Sequence, residues 1–243
     1  MSTGNEISKL ALVTLAVVTL SKEVTGQRKT YLGFEFGPKY EVMQVPSHDD
    51  QLYSTPYNNS VTGGLSFGWD FGKRWTLETG LYGYKYHHGI GVKGTAYASA
   101  PSFSVIQVPL RAKQRFYFLS DRLQIAPSAG VALIVSTSPN YVNTAGYHGF
   151  ETDDGSTGLR YNATNGPGRN TLLLEVGILL GWQFKNQLIV YLTGNYLKGD
   201  NQVINLEVEY WVDNQPSRST NVSSTGDYLN SMIGIKFPLN SSR

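Results

Sequence analysis

Past Gln27 the chain alternates apolar and polar residues through stretches that come in pairs. A period of two marks a strand with two unlike faces. The pattern predicts eight strands, at 30–42, 60–71, 75–86, 103–117, 122–135, 170–184, 187–198 and 227–239. Three connections are very short, Gly-Lys-Arg at 72–74, Leu-Ser-Asp at 119–121 and Lys-Asn-Gln at 185–187. Four are long and polar, at 43–59, 87–102, 136–169 and 199–226, rich in Ser, Thr, Asn, Gly and Asp. Short and long connections strictly alternate. The expected fold is therefore all-β, an eight-stranded antiparallel up-and-down transmembrane β-barrel, with tight turns and both mature ends on one side. The long loops, four in number, then stand outside the cell. The segment VINLEVEYWV, 203–212, alternates as well and reads as a hairpin extending from the last long loop.

The two faces differ in kind. The second strand sets Val61, Leu65, Phe67, Trp69 and Phe71 against Thr62, Gly64, Ser66, Gly68 and Asp70. The sixth sets Leu172, Leu174, Val176, Ile178, Leu180, Trp182 and Phe184 against Glu175, Gly177, Gly181 and Gln183. A soluble lipocalin-like barrel would also alternate, with its apolar face inward. Two features favour the opposite arrangement. The polar face is built of Gly, Ser and Thr beside isolated charges, which suits the crowded inside of a narrow barrel. Trp69, Phe71, Trp75, Phe116, Phe118, Trp182, Phe184 and Phe237 gather near the tight turns, all on the apolar face. Rings collected at one level form the girdle of a membrane interface.

The fourth strand, IQVPLRAKQRF at 106–116, shows the consequence most sharply. Ile106, Val108, Leu110 and Ala112 face lipid, and Arg111, Lys113 and Arg115 point into the lumen. A cation facing lipid at mid-membrane costs about 2–4 kcal/mol, which enforces that parity. Enclosed cations need partners. The lumen faces of the other strands supply Glu35, Asp70, Glu78 and Glu175, with Lys39 and Lys236 as further cations. An interior of this size is just wide enough for side chains to fill it. An ion-paired plug is expected, with Tyr82, Tyr84, Tyr191 and Gln107 completing its hydrogen bonds. Pro109 sits mid-strand, where a ladder bond is lost, and predicts a bulge or local distortion.

Composition agrees. Charged residues make up 16% of the 243, with 26 Gly and 16 Tyr, a mix poor for helices. Mean hydropathy is −0.24 and no run of 18 apolar residues exists, which excludes a helical membrane protein. A net charge of +2 without a basic tract gives nucleic-acid binding no support. With no cysteine, neither disulfides nor a thiolate metal site can form. Lys9 followed by the apolar run Leu10–Leu20, with Val24 and Gly26 at the exit, reads as a signal peptide spanning 1–26. The mature barrel domain then runs 27–243.

The strand IQVPLRAKQRF resembles a hallmark strand of the PorT-like proteins, a Bacteroidetes outer-membrane β-barrel family. YLGFEFGPKY (31–40), APSAGVAL (126–133) and the closing GIKFPL (234–239) are similar too. The resemblance covers about 30–239 through loose motifs. It implies an eight-stranded barrel in the outer membrane of a Gram-negative bacterium. The family's namesake takes part in type IX protein secretion. The chain departs from the usual barrel ending, closing on GIKFPLNSSR without a terminal aromatic, which weakens the case for recognition by the barrel-assembly machinery.

The loops offer little specific chemistry. His87 and His88 are adjacent and point opposite ways in a strand. His48 stands with Asp49 and Asp50, and His148 with Glu151, Asp153 and Asp154, at no ligand spacing. DDGSTG (153–158) lacks the downstream Glu of a calcium loop, and NGPGRN (165–170) lacks the Lys-Ser/Thr of a phosphate cradle. No catalytic residue, metal site or cofactor is expected. Tyr53, Tyr57, Tyr97, Tyr141, Tyr147, Tyr161 and Trp211 lie in the loops, as contact residues for a partner or as packing of the loops on one another. The expected role is a non-enzymatic barrel surrounded by outer-membrane lipid and lipopolysaccharide. Its loops engage a partner, such as a membrane-protein complex. A narrow gated channel is the alternative, and a rim hydrolase a third.

Overall fold

The computed structural model describes residues 29–41, 51–56, 60–86, 88–93, 98–99, 103–136, 145–152, 155–165, 171–213 and 215–239. The leader expected at 1–26 lies outside them. In chain order the strands are β1 (Lys29–Glu41), β2 (Leu52–Pro56), β3 (Val61–Phe71), β4 (Trp75–Tyr86), β5 (His88–Val92), β6 (Ala98–Ser99), β7 (Phe103–Gln114) and β8 (Phe116–Phe118). They continue as β9 (Leu123–Ser136), β10 (Ala145–Thr152), β11 (Gly155–Asn165), β12 (Thr171–Gln183), β13 (Ile189–Gly199), β14 (Ile204–Trp211), β15 (Arg218–Ser224) and β16 (Tyr228–Pro238).

Eight of these make a closed antiparallel barrel. Each of β1, β3, β4, β7, β9, β12, β13 and β16 pairs with the next, and β16 returns to β1 from Tyr31↔Pro238 to Glu41↔Tyr228. Every predicted strand matches one of these eight, with β8 carrying on the register of β7 beyond Arg115. The pattern works because closure leaves no sheet edge, and alternation then separates inside from outside on every strand at once. The tight turns use left-handed backbone, with φ of 59° at Gly72 and 51°, 56° and 66° at Leu119, Ser120 and Asp121.

Of the bulge or local distortion expected at Pro109, the structure shows the local distortion. The register of β4 on β7 is the same on both sides of it, from Thr79↔Leu110 to Tyr82↔Gln107, so no residue is inserted. Only the pairing of Gly80 and Leu81 is skipped. The Thr79 hydroxyl donates to the Pro109 carbonyl at 2.8 Å and satisfies an acceptor the ladder leaves open.

The long connections are corrected more substantially. They are not plain polar loops. β2, β5 and β6 form a three-stranded sheet from the first two, and β10, β11, β14 and β15 a four-stranded sheet from the last two. The hairpin expected around 203–212 is β14–β15, paired from Ile204↔Ser224 to Tyr210↔Arg218. These sheets have a buried apolar side. Ile90, Val92, Leu159, Leu206, Val208 and Val222 share one cluster with Tyr84, Ile134, Leu173, Leu197 and Tyr228 from the long-loop end of the barrel strands. The main apolar core is therefore a cap over the barrel mouth.

Candidate functional site: barrel interior and cap

Outside the barrel the exposed residues are mostly apolar. Leu65, Leu81, Leu174, Val176, Ile178 and Leu192 are each more than half exposed. Trp75, Phe116, Phe118, Trp182, Phe184 and Phe237, near the tight turns, are also exposed. Inside, by contrast, charged residues are buried: Glu35 and Glu78 are 0% exposed and Arg111 2%.

The ion-paired charges inside the barrel come in equal number among the described residues. Glu35, Glu41, Asp70, Glu78 and Glu175 face Lys39, Arg111, Lys113, Arg115 and Lys236, five against five. From the tight-turn end upward they form three groups. Arg115 holds Asp70 at 2.5 Å, and Thr76 donates to the same carboxylate at 2.7 Å. Above them Glu78 takes Lys113 at 2.6 Å and Lys236 and Arg111 each at 3.1 Å. Arg111 then bridges to Glu175 through Nε at 2.7 Å, donates to the Tyr82 hydroxyl at 3.0 Å, and keeps Oε2 of Glu35 at 3.9 Å. Near the cap Lys39 pairs with Glu41 and lies over the rings of Tyr84 and Tyr228, while Tyr228 donates to Gln107.

Of the eight residues proposed from sequence as a charge network, Glu78, Arg111, Lys113, Glu175 and Lys236 are brought together, with Glu35 at longer reach, while Asp70 and Arg115 form a pair of their own nearer the tight turns. Sequence reading missed two members. Tyr31 donates to Glu78 at 2.5 Å and receives Lys236 at 3.2 Å, and Glu41 partners Lys39. Both share the parity of Glu35, the signal that could have found them.

Small residues make this packing possible. A Cβ on Gly68 would fall 2.1 Å from the Tyr31 ring, and one on Gly234 2.4 Å from the Tyr191 ring. Those rings occupy the space the glycines leave, and the Tyr31 hydroxyl reaches Glu78 and the Tyr191 hydroxyl reaches Glu35 at 2.6 Å. Lys236 sits 4.4 Å and 4.8 Å above the two rings. A buried charge left without partners costs several kcal/mol, so each carboxylate here acts as part of the set.

The loop aromatics divide. Tyr53 lies across Gly91 in the β2–β5 pair, and Trp211 across Gly158 in the β11–β14 pair, so both pack within the cap. Tyr147 lies in β10 and Tyr161 in β11. Tyr57, Tyr97 and Tyr141 lie outside the described residues. So do His48, Asp49, Asp50, His87, Asp153 and Asp154, while His88 falls in β5 and His148 and Glu151 in β10. Among the described residues no three His, Asp or Glu are grouped to hold a metal ion.

No family model matches the chain, and no curated protein does. Solved structures align with the chain at low identity, two of them as follows. The outer-membrane protein OprG of Pseudomonas aeruginosa aligns over 90% of this chain and 100% of its own at 12% identity, TM-score 0.48. The transport unit of the autotransporter AIDA-I of Escherichia coli aligns over 89% and 92% at 9% identity, TM-score 0.32.

Proposed function

We propose that this chain is a non-conducting, non-enzymatic outer-membrane barrel that holds a β-sheet cap outside the bilayer for a partner to bind. One observation carries the reading: the barrel exposes its aliphatic side chains outward and buries its charges inward. In water that arrangement would leave a hydrophobic surface far larger than the patches soluble monomers expose. In a bilayer it is the low-energy choice, because lipid solvates the aliphatic belt and the girdle rings settle at the headgroups. Both termini of the barrel then lie at the tight-turn side, the periplasmic one, and the cap faces outward. The strand motifs that resemble PorT-like barrels support an envelope complex, of the secretion kind, as the partner class.

The channel alternative is disfavoured by two layers of filling. Ion pairs occupy the middle of the lumen, and the apolar cap cluster closes its outer mouth. A conducting state would have to break both. Purified protein inserted into planar bilayers is expected to give no unitary current steps up to the voltages the bilayer withstands. Reproducible, ion-selective steps that disappear in the Arg111→Met variant would favour the channel.

A further inference from the structure

The polar network does not fill the barrel to its periplasmic end. Below Glu78 lies a cavity of about 100 Å³, lined by Lys29, Asp70, Lys113, Arg115, Gln124 and Lys236 together with Tyr31 and Thr76. Four of its charged groups are cations and one is an acid. Glu78 neutralises Lys113 and Lys236 from behind, outside the cavity wall. Two wall groups are buried yet incompletely used. Arg115, 8% exposed, binds Asp70 through Nη1 and two carbonyls through Nη2, but its Nε has no partner. The side-chain oxygen of Gln124, 4% exposed, has none either. A buried guanidinium donor without a partner is costly and asks for an acceptor.

We propose that this cavity is a binding site for a small oxyanion of the phosphate class, entering from the periplasmic end. The chemistry fits in three ways. With Lys113 and Lys236 paired to Glu78 and Arg115 to Asp70, Lys29 is the wall cation left without a carboxylate among the described residues, which favours a negative ligand, and guanidinium and ammonium donors make the strong, short hydrogen bonds that phosphate oxygens accept. The Gln124 amide, turned about its terminal bond, would add a donor to the same ligand. The volume lies well below the roughly 300–1,000 Å³ of sites for drug-sized molecules, which suits a free ion or a single head group. The site is independent of whether the cap binds a partner.

The test is calorimetric titration of the detergent-solubilised, folded chain with inorganic phosphate, against sodium chloride at equal ionic strength. Saturable one-to-one heat with phosphate and none with chloride is expected. Lys29→Gln, at the exposed rim, is expected to weaken binding about two- to five-fold, the size of one exposed charge contact. Gln124→Glu sets a like charge in the wall at unchanged volume and is expected to abolish binding. Glycerol 3-phosphate is run in parallel: tighter binding than phosphate identifies a lipid head group as the source, and weaker binding the free ion. Equal heats for phosphate and chloride, or phosphate binding unchanged in both variants, would overturn the proposal. Because Lys29→Gln touches no buried pair, a folding failure of Gln124→Glu leaves the test intact.

Discussion

Arg111→Met is expected to destabilise the folded barrel by about 3–5 kcal/mol, the cost of breaking a buried ion pair from one side. Arg111 is 2% exposed and joins Glu175, Glu78 and the Tyr82 hydroxyl directly, with Glu35 behind them. Methionine fills much of its volume, so the loss is electrostatic rather than a cavity. Glu78 keeps Lys113 and Lys236, whereas Glu175 loses the ion pair it makes through Nε. Adding Glu175→Gln to the variant is therefore expected to recover part of the loss, since it removes the carboxylate left uncompensated. Urea unfolding in phospholipid vesicles, followed by tryptophan fluorescence and by gel mobility without boiling, measures both. A loss under 1 kcal/mol, or no recovery in the double variant, would mean that the lumen pairs do not act as a set.

Ile178→Arg carries the second large effect, about 2–4 kcal/mol. Ile178 sits midway along β12, is more than half exposed, and has Leu180 and Val176 beside it on the same face. On a soluble protein so exposed a site would accept arginine within about 0.5 kcal/mol. In a bilayer the guanidinium must be desolvated or must drag water and head groups inward. Asn221→Arg, exposed on β15 in the cap, serves as the aqueous control and is expected to change stability by less than about 0.5 kcal/mol. The same unfolding measurement compares them, and equal effects at the two sites would remove the membrane reading.

The barrel was legible in the sequence because a period of two is unambiguous when every strand repeats it. Ile106 to Phe116 fixed its parity by charge alone, and the structure places Arg111, Lys113 and Arg115 on the buried side as that parity requires. The pairing of Glu78 with three separate cations was less legible, since parity names a face and not a depth along it. The cap was hardly legible at all. Leu159, Val222 and Ile90 stand among Gly, Ser, Thr and Asn in segments that read as polar connections, and their burial is set by long-range packing on Tyr84, Leu173 and Tyr228. Only β14 announced itself, through the alternation from Ile204 to Tyr210. Pro109 shows a further limit: a proline predicts a lost bond, but not that the register continues past it or that Thr79, thirty residues away, takes up its carbonyl.

The absence of cysteine makes the central claim directly measurable. Single cysteines placed in turn at 173 to 181 along β12, spin-labelled and reconstituted in phospholipid vesicles, report collisions with oxygen, which partitions into lipid, and with a water-soluble nickel complex. The account predicts oxygen maxima at 174, 176, 178 and 180, with little nickel access there and low access to both reagents at the positions between. High nickel access at those four positions would put the aliphatic face in water and contradict it.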